Sequence, residues 1–412
     1  MTTRNRTRAR TGTPTSLALA AVVTAVLALA APPAATAPSG PVEPQPTAQE
    51  PAPLHTSPRA VPGRYIVTLE EGTDARTLAG KLKVKPSFVY SEVLNGFAVS
   101  MDPLQVKAVR STLGVKAVEE DASVSAFTPV EPFGAGRAPA STWGLDRIDQ
   151  RALPLDDTFT TAGDGTGVNA YILDTGIEYG HEEFGGRAAF GFDAIGDGRA
   201  GADCQGHGTH VAGTVGGKTY GVARNVNLIS VRVLGCDGSG AWSGVLAGMD
   251  WVAKNAKQPA VLNASLGGHE SDAVDNAAEA LSAAGVLPVV AAGNSAADAC
   301  DVSPAGADGV VTVGASDRTD AETSFSNWGE CLSLYAPGQA IVSAKLGGGS
   351  VALNGTSMAA PHVTGAAVLY RQAHPDATVA GVALWLDEAS TESVLRNVSA
   401  SSPNKLLYTG GL

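Results

Sequence analysis

The chain has 412 residues, enough for two or three domains, one of them with a large core. Charged residues are 17% and aromatics 5%, with 49 Gly and 24 Pro, which excludes a coiled coil or a disordered chain and suits a compact, loop-rich exported protein. Residues 138–412 carry 14 Lys and Arg against 29 Asp and Glu, a balance that argues against nucleic acid as a partner and is compatible with bound cations.

Residues 1–37 read as a secretory signal. Arg4, Arg6, Arg8 and Arg10 form a basic start, Leu17–Ala31 the apolar core, and Ala35-Thr36-Ala37 a small-residue cleavage site. That core is about 15 residues, short for a membrane span, and no later run is longer, so a soluble protein without a membrane partner is expected. Residues 38–62 are rich in Pro, Ala and Thr and read as a flexible spacer.

From Arg64 the pattern changes. Arg64–Leu69 alternates like a strand, Thr73–Lys83 like a helix, and Ser87–Val93 with Gly96–Met101 like a strand pair around Asn95-Gly96. Asp102 then caps a helix to about Thr112, and Val115–Ala126 returns as a strand. The order βαββαβ is a ferredoxin-like α+β domain over 63–127. Its place between a signal and a second domain suggests a removable pro-region rather than an independent binding module. Residues 128–141 are again Pro, Gly and Ala rich, a linker where maturation cleavage is expected between Pro132 and Thr142.

Over 142–412 short apolar runs alternate with helical stretches. The strand-like runs are Gly167–Leu173, Asn227–Val233, Val261–Ser265, Val286–Ala291 and Gly309–Val313, and the helical ones include Gly208–Gly216, Gly244–Asn255 and Ala273–Ala284. This predicts an α/β three-layer domain with a mostly parallel central sheet, whose active residues gather at the carboxyl ends of the strands.

Four residues fall at such ends. Asp174 closes a strand, His207 opens a helix in Gly206-His207-Gly208-Thr209-His210, and Asn294 follows the run Val289–Gly293. Ser357 sits in Asn354-Gly355-Thr356-Ser357-Met358-Ala359-Ala360-Pro361-His362 ahead of an Ala-rich buried helix. A helix N-terminus favours negative charge, which suits a serine whose attack on a carbonyl creates an oxyanion. Singly, each has a plain structural reading: Ser357 as a helix cap, Asp174 and Asn294 as turn formers. His210 lacks the intervening Glu of a zinc-protease pair and is expected to face the core or a backbone carbonyl.

Together, Asp174-Thr175-Gly176, His207-Gly208-Thr209-His210, Ala292-Gly293-Asn294 and Gly355-Thr356-Ser357-Met358-Ala359 resemble the signatures of the subtilisin-like serine peptidases. Gly314-Ala315-Ser316 and Phe325-Ser326-Asn327 resemble them too. The resemblance covers about Trp143–Leu412, and Arg64–Ala126 resembles the family's inhibitory propeptide. The opening Trp143–Gln150 and the cysteines Cys204, Cys236, Cys300 and Cys331 point to the proteinase K group, nearest the aqualysin type.

The resemblance implies a secreted, extracellular serine endopeptidase made as a self-processed zymogen, monomeric, with its propeptide as intramolecular chaperone and inhibitor. Ser357 would be the nucleophile, His207 the base, Asp174 its orienting partner and Asn294 an oxyanion donor. Protein and peptide substrates would lie between Gly238, Ser239, Gly240 on one side and Ser265, Leu266, Gly267 on the other. Ala292 and Gly293, with Ala264, Leu266 and Ala291, would form uncharged walls favouring an apolar or aromatic side chain. Catalysis would need no cofactor. A structural calcium is expected at Asp146, Asp149, Gln150, Asp156 and Thr158, with Asp193 and Asp197 a lesser candidate and a site near Asp308, Val310 and Ser333 weakened by the serine. Gln205 stands where many relatives have Asn. The pairings Cys204–Cys236 and Cys300–Cys331 are expected, each closing a loop of about 30 residues. Two other readings remain: a non-catalytic binding protein on this fold, and an esterase using His374 and Asp387 after the serine.

Overall fold

The computed structural model describes residues 50–127 and 142–412, so the expected signal, most of the spacer and the linker with its maturation site lie outside the described residues. Ordered chain begins earlier than a spacer over 38–62 allows. Ala52 is buried in the first domain, and β1 (Leu54–His55) and the start of β2 (Ala60–Leu69) are already paired. Ala52 and Leu54 give this Pro-rich stretch apolar surface to bury, which composition alone conceals.

After β2 come α1 (Ala75–Leu82), β3 (Pro86–Tyr90), β4 (Gly96–Ser100), α2 (Pro103–Arg110) and β5 (Val115–Ala126), the βαββαβ order the sequence predicts. Asp102 starts α2 with a reciprocal capping box: its carboxylate accepts from Leu104 and Gln105 N–H, and the Gln105 side chain accepts from Asp102 N–H. A core of Val67, Phe97, Val99, Val106, Val109 and Val118 joins the two helices to the sheet.

The second domain opens with α3 (Trp143–Ile148) and then alternates: β6 (Asn169–Asp174), β7 (Ala188–Asp193), α4 (His207–Gly216), β8 (Asn227–Arg232), β9 (Ser239–Ala241), α5 (Trp242–Asn255), β10 (Ala260–Ala264), β11 (Leu266–His269), α6 (Asp272–Ala283) and β12 (Leu287–Ala291). There follow β13 (Val302–Ser303), β14 (Val311–Ser316), β15 (Leu334–Pro337), the hairpin β16 (Ile341–Ala344) and β17 (Ser350–Leu353), α7 (Thr356–Ala373), α8 (Val379–Ala389), β18 (Thr391–Glu392) and β19 (Lys405–Leu406). The central sheet runs β18-β19-β15-β14-β12-β10-β6-β8-β7, parallel except for the β18–β19 edge pair. The central strands β10, β12 and β14 are buried on both faces, as continuous apolar runs demand. One core cluster holds α4 and α7 against the sheet, and the other holds α5 and α6. This is a three-layer α/β domain.

β5 belongs to both domains. It pairs with β2 in its own sheet, and its far end lies antiparallel to β9 and β11 of the second domain. Two acids on it reach helix N-termini: Asp121 accepts from Ser243 N–H (3.0 Å) and Oγ (2.6 Å) at the start of α5, and Glu119 accepts from Ser271 Oγ and Ala273 N–H at α6. Carboxylates there satisfy donors a helix cannot pair itself and complement its dipole. In return Asp250 of α5 accepts from the N–H groups of Ser91, Glu92 and Val93.

The cysteines form Cys204–Cys236 and Cys300–Cys331, with sequence separations of 32 and 31. Replacing Cys300 and Cys331 together by Ser should lower stability by about 3–4 kcal/mol on loop-closure entropy. Calorimetry of the intact chain checks this, and a melting temperature within about 2 °C of the parent would refute it.

Candidate active site

The carboxyl ends of β6, β10 and β12 and the N-termini of α4 and α7 converge. Asp174, the last residue of β6, is fully buried, and its carboxylate meets His207 Nδ1 at 2.8 and 3.0 Å. Thr175 N–H donates to the same carboxylate at 2.7 Å. With Nδ1–H donating to Asp174, neutral His207 presents a bare Nε2, which has no partner among the described residues. Burial pulls the imidazole down, but the charge and hydrogen bond of Asp174, with Asp203 nearby, outweigh it, so its pKa is raised above the usual 6.5.

His207 opens α4 at the end of a loop held by a residue the sequence does not single out. Buried Asp203 accepts from Thr175 Oγ1 (3.0 Å), the N–H groups of Gln205 and Gly206 (2.9 Å each), Thr209 N–H (3.0 Å) and Thr209 Oγ1 (2.6 Å). An Asp bonding two and three residues ahead is an ordinary turn former, so nothing in its spacing reveals this span. Gln205 accepts from His207 N–H at 2.7 Å. His210 faces the carbonyls of Ile341 and Val351, and burial depresses its pKa to about 3.

Ser357 lies in the first turn of α7, fully buried beneath the first domain's tail. Gly355 before it has φ +149°, and a Cβ there would come within 2.9 Å of Asn294 Nδ2. Only glycine turns the chain so tightly at that place. The Ser357 hydroxyl donates to the Ser265 carbonyl at 3.2 Å, while Ser265 Oγ donates back to the Ser357 carbonyl at 3.0 Å. Asn294 accepts from Thr356 N–H and Oγ1, both at 2.9 Å, which fixes the amide and sets its donor end on the opposite side.

The flanking segments are now occupied. Ser239, Gly240 and Ala241 pair with Ser125, Val124 and Ser123, Gly238 O accepts from Ala126 N–H at 2.9 Å, and Leu266 and Gly267 pair with Ala126 and Ser125. Ala264, Leu266, Ala291 and Ala292 are fully buried in core clusters, the Ala292 methyl among Ala299, Leu332 and Tyr335. Gly293 N–H donates to Thr356 Oγ1 and sits against Asn327. The cavity beside Asn294, about 580 Å³, is lined by Gly267, Ser295, Ala297, Asp298 and Asn327 with Phe127. Period-two alternation along each apolar run decides which methyls turn inward, and residue type does not give its phase.

Asp146, Asp149 and Asp156 come together at the start of the second domain. Asp146 accepts from Asp156 and Asp157 N–H, Asp149 from Thr160 N–H, and Asp156 from both donors of Thr158. Burial raises the Asp149 pKa and the charges of Asp146 and Asp156 add to it, while the Gln150 amide donates to Ala152 and Pro154 carbonyls. Asp193 and Asp197, the lesser calcium candidate, are tied to Arg232 at 3.2 and 2.6 Å, and Asp197 also meets Arg199 at 3.5 Å, so two cations already balance the two acids. Ser333 Oγ accepts from Thr312 N–H at 3.1 Å. His374 packs at a tilt against Tyr370 and Asp387 pairs with Lys405, so neither belongs to the site.

A family model described as the subtilase family matches residues 165–404, and one described as peptidase inhibitor I9 matches residues 64–127. The chain is 46% identical over 380 residues to an extracellular serine proteinase of Thermus sp. (strain Rt41A), covering 86% of this chain and 91% of that one. It is 39% identical over 371 residues to proteinase R of Parengyodontium album, covering 87% and 92%. Its fold matches the crystal structure of a cold adapted subtilisin-like serine proteinase with a TM-score of 0.64 and 50% identity, over 66% of this chain and 99% of that one.

The His207 balance is testable by NMR titration of its ring protons. Asp174→Asn removes the charge that opposes burial, so the imidazole should titrate below 6.5 instead of above it. The raised native pKa also means that the pair's stabilisation is full below pH 6.5 and lost as pH rises through the raised value. A variant still titrating above 6.5 would contradict the role given to Asp174, and a native ring titrating at or below 6.5 would contradict the pH dependence.

Proposed function

The chain belongs to the subtilase family of serine proteinases and carries an inhibitor-type propeptide domain, and on that premise we propose that Asp174, His207 and Ser357 are its catalytic triad. The observation that carries this is the buried Asp174–His207 contact, which leaves Nε2 bare among the described residues. Ser357 turns its hydroxyl from Ser265 to His207 Nε2, gives up the proton and attacks the substrate carbonyl. His207 passes that proton to the leaving amine, while Asp174 keeps the imidazole in its tautomer and stabilises the cation that forms. Ser357 N–H at the helix N-terminus and the Asn294 amide bind the oxyanion. The chemistry needs no cofactor.

Residues 1–37 act as an export signal, 63–127 as the inhibitory and chaperoning domain, 128–141 as the linker that holds a maturation site, and 142–412 as the peptidase, secreted as a monomer. Relatives described as extracellular and the two disulfides support export. Among the described residues no helix is long and apolar enough to cross a membrane. Substrates pair by backbone with 238–240 and 265–267, which gives broad sequence tolerance. Gly267 leaves room for a large apolar side chain before the scissile bond. A calcium ion at Asp146, Asp149, Gln150, Asp156 and Thr158 fits an all-oxygen donor set and offsets acids that otherwise repel.

Ser357→Ala should remain an uncut precursor without casein hydrolysis, and maturation of that variant in a host lacking other proteases would overturn the triad. Asn294→Ala should lower kcat about 10²–10³-fold with little change in KM. A chelator should lower the melting temperature of the active enzyme, since a ligand bound only to the folded form stabilises it, and Asp149→Ala should blunt the response. No shift in excess chelator, with no calcium by elemental analysis, would remove the ion from the reading.

A further inference from the structure

His207 is the first residue of α4, so the positive end of the helix lies beside its imidazole. That end disfavours the imidazolium that a general base has to become. The helix brings no remedy of its own. Gly206 at the cap has no side chain to offer, and the first turn of α4 contains no acid. Depth adds to the cost, since His207 is only 2% exposed.

Asp203 supplies what the helix lacks. From three residues ahead of the cap, its carboxylate accepts from Thr209 N–H, the third N–H of α4, at 3.0 Å. Its other contacts are Thr209 Oγ1, Thr175 Oγ1 and the N–H groups of Gln205 and Gly206. All five are neutral donors. A protonated acid would have to donate in return, so the group sits here as a carboxylate, and these partners leave its charge uncancelled. Asp203 is 8% exposed, so salt screens that charge little. The same carboxylate ties the base to its partner. Thr175 Oγ1 donates to Asp203 and accepts from Gly208 N–H at 2.9 Å, while Thr175 N–H donates to Asp174. A Cβ on Gly208 would come within 2.2 Å of the Gly176 carbonyl oxygen, so α4 meets the chain leaving β6 backbone to backbone.

We propose that Asp203 is a positioning residue for His207: it fixes the start of α4 on the end of β6, and its charge offsets the helix end so that the imidazole can hold a proton. The inference rests on the triad reading, in which that proton comes from Ser357. Asp174 binds the ring and sets its tautomer, whereas Asp203 acts through the helix. The electrostatic balance at the ring runs the same way: Asp174 opposes burial most strongly, and Asp203 adds to it. Other titratable groups around α4 do not supply this charge. His210 on α4 and His362 on α7 are held neutral by burial, at about 3 and about 4. Glu178 turns to Gly347 N–H, His181 to the Lys345 carbonyl, and Glu183 to Thr219 N–H beyond the far end of the helix. Arg232 on β8 is paired with Asp193 and Asp197.

The test titrates the His207 ring protons by NMR in the full-length Ser357→Ala chain, where the readout does not depend on turnover. Asp203→Asn should move the titration down by about half a pH unit or more. A smaller move, in a variant that melts with its parent, overturns the proposal. Thr209→Ala removes one hydroxyl from the same carboxylate and keeps its charge, so it should move the ring less than Asp203→Asn does. An equal move in Thr209→Ala makes the effect one of geometry alone and overturns the role of the charge. If Asp203→Asn does not fold, Asp203→Glu decides: a ring titrating above 6.5 supports the charge, and one at or below 6.5 overturns it. In the active chain, Asp203→Asn should shift the acid limb of kcat/KM to lower pH by the same amount, with kcat lowered and KM nearly unchanged. An unmoved limb also overturns the proposal. The two readings fail separately: maturation of Ser357→Ala removes the triad, while an unmoved ring in a chain that stays uncut removes only the role of Asp203.

Discussion

Pro361 lies inside α7, where it has no N–H to give to the carbonyl four residues back. That carbonyl is Ser357's, and Ser265 Oγ supplies the missing bond. A helix defect thus becomes a tie between the nucleophile and the end of β10. Below it, Asn263 donates to the same Ser265 Oγ at 2.9 Å and accepts from Thr364 Oγ1 at 2.8 Å, so the strand and helix are joined at two levels through fully buried polar groups. Leaving one such group without a partner costs about 1–3 kcal/mol. The placement of Ser357 against the sheet depends on this exchange, and Asn294 and Gly355 are arranged around the turn it fixes.

The other half of the site is organised by charge. Asp174 and Asp203 are buried acids whose oxygens are filled by N–H and O–H donors, the arrangement that makes a buried carboxylate tolerable. His207 rests between burial and Asp174, while His210 and His362, buried without an acid, have pKa values pushed down to about 3 and about 4. Of these three buried imidazoles, only the one beside a carboxylate keeps its pKa raised. The site is therefore one base among neutral neighbours.

Local rules make much of this legible in the sequence. The βαββαβ order, the Asp102 cap and the buried runs of β6, β10 and β12 follow from period and capping, which a few adjacent residues determine. The β16–β17 hairpin, α8 and β7 do not, because short mixed runs carry little period. Lys345 N–H bonds back to Gly349 across a turn of three glycines, Gly347, Gly348 and Gly349, and the strands on either side are only four residues long. Long-range ties are hidden for another reason. Arg232 neutralises Asp197 from 35 residues away, and Asp121 meets Ser243 across 122 residues. Nothing local marks either partner.

Helix α5 has no side-chain cap of its own: Ala241 precedes it, and its Ser243 N–H and hydroxyl are met by Asp121 from the other domain. While the two domains share a chain, α5 can form against a carboxylate already in place. Were the propeptide removed, only water would meet that donor, and a peptidase that unfolds would have to build the same helix start unaided. Helix nucleation is the costly step in forming a helix, so the loss falls on the route back to the fold more than on the fold itself. Durability of the mature molecule then becomes a matter of how slowly it opens, a rate and not an equilibrium. Under the proposed processing, the first domain would be a template used once, whose imprint persists only as long as the molecule never comes apart.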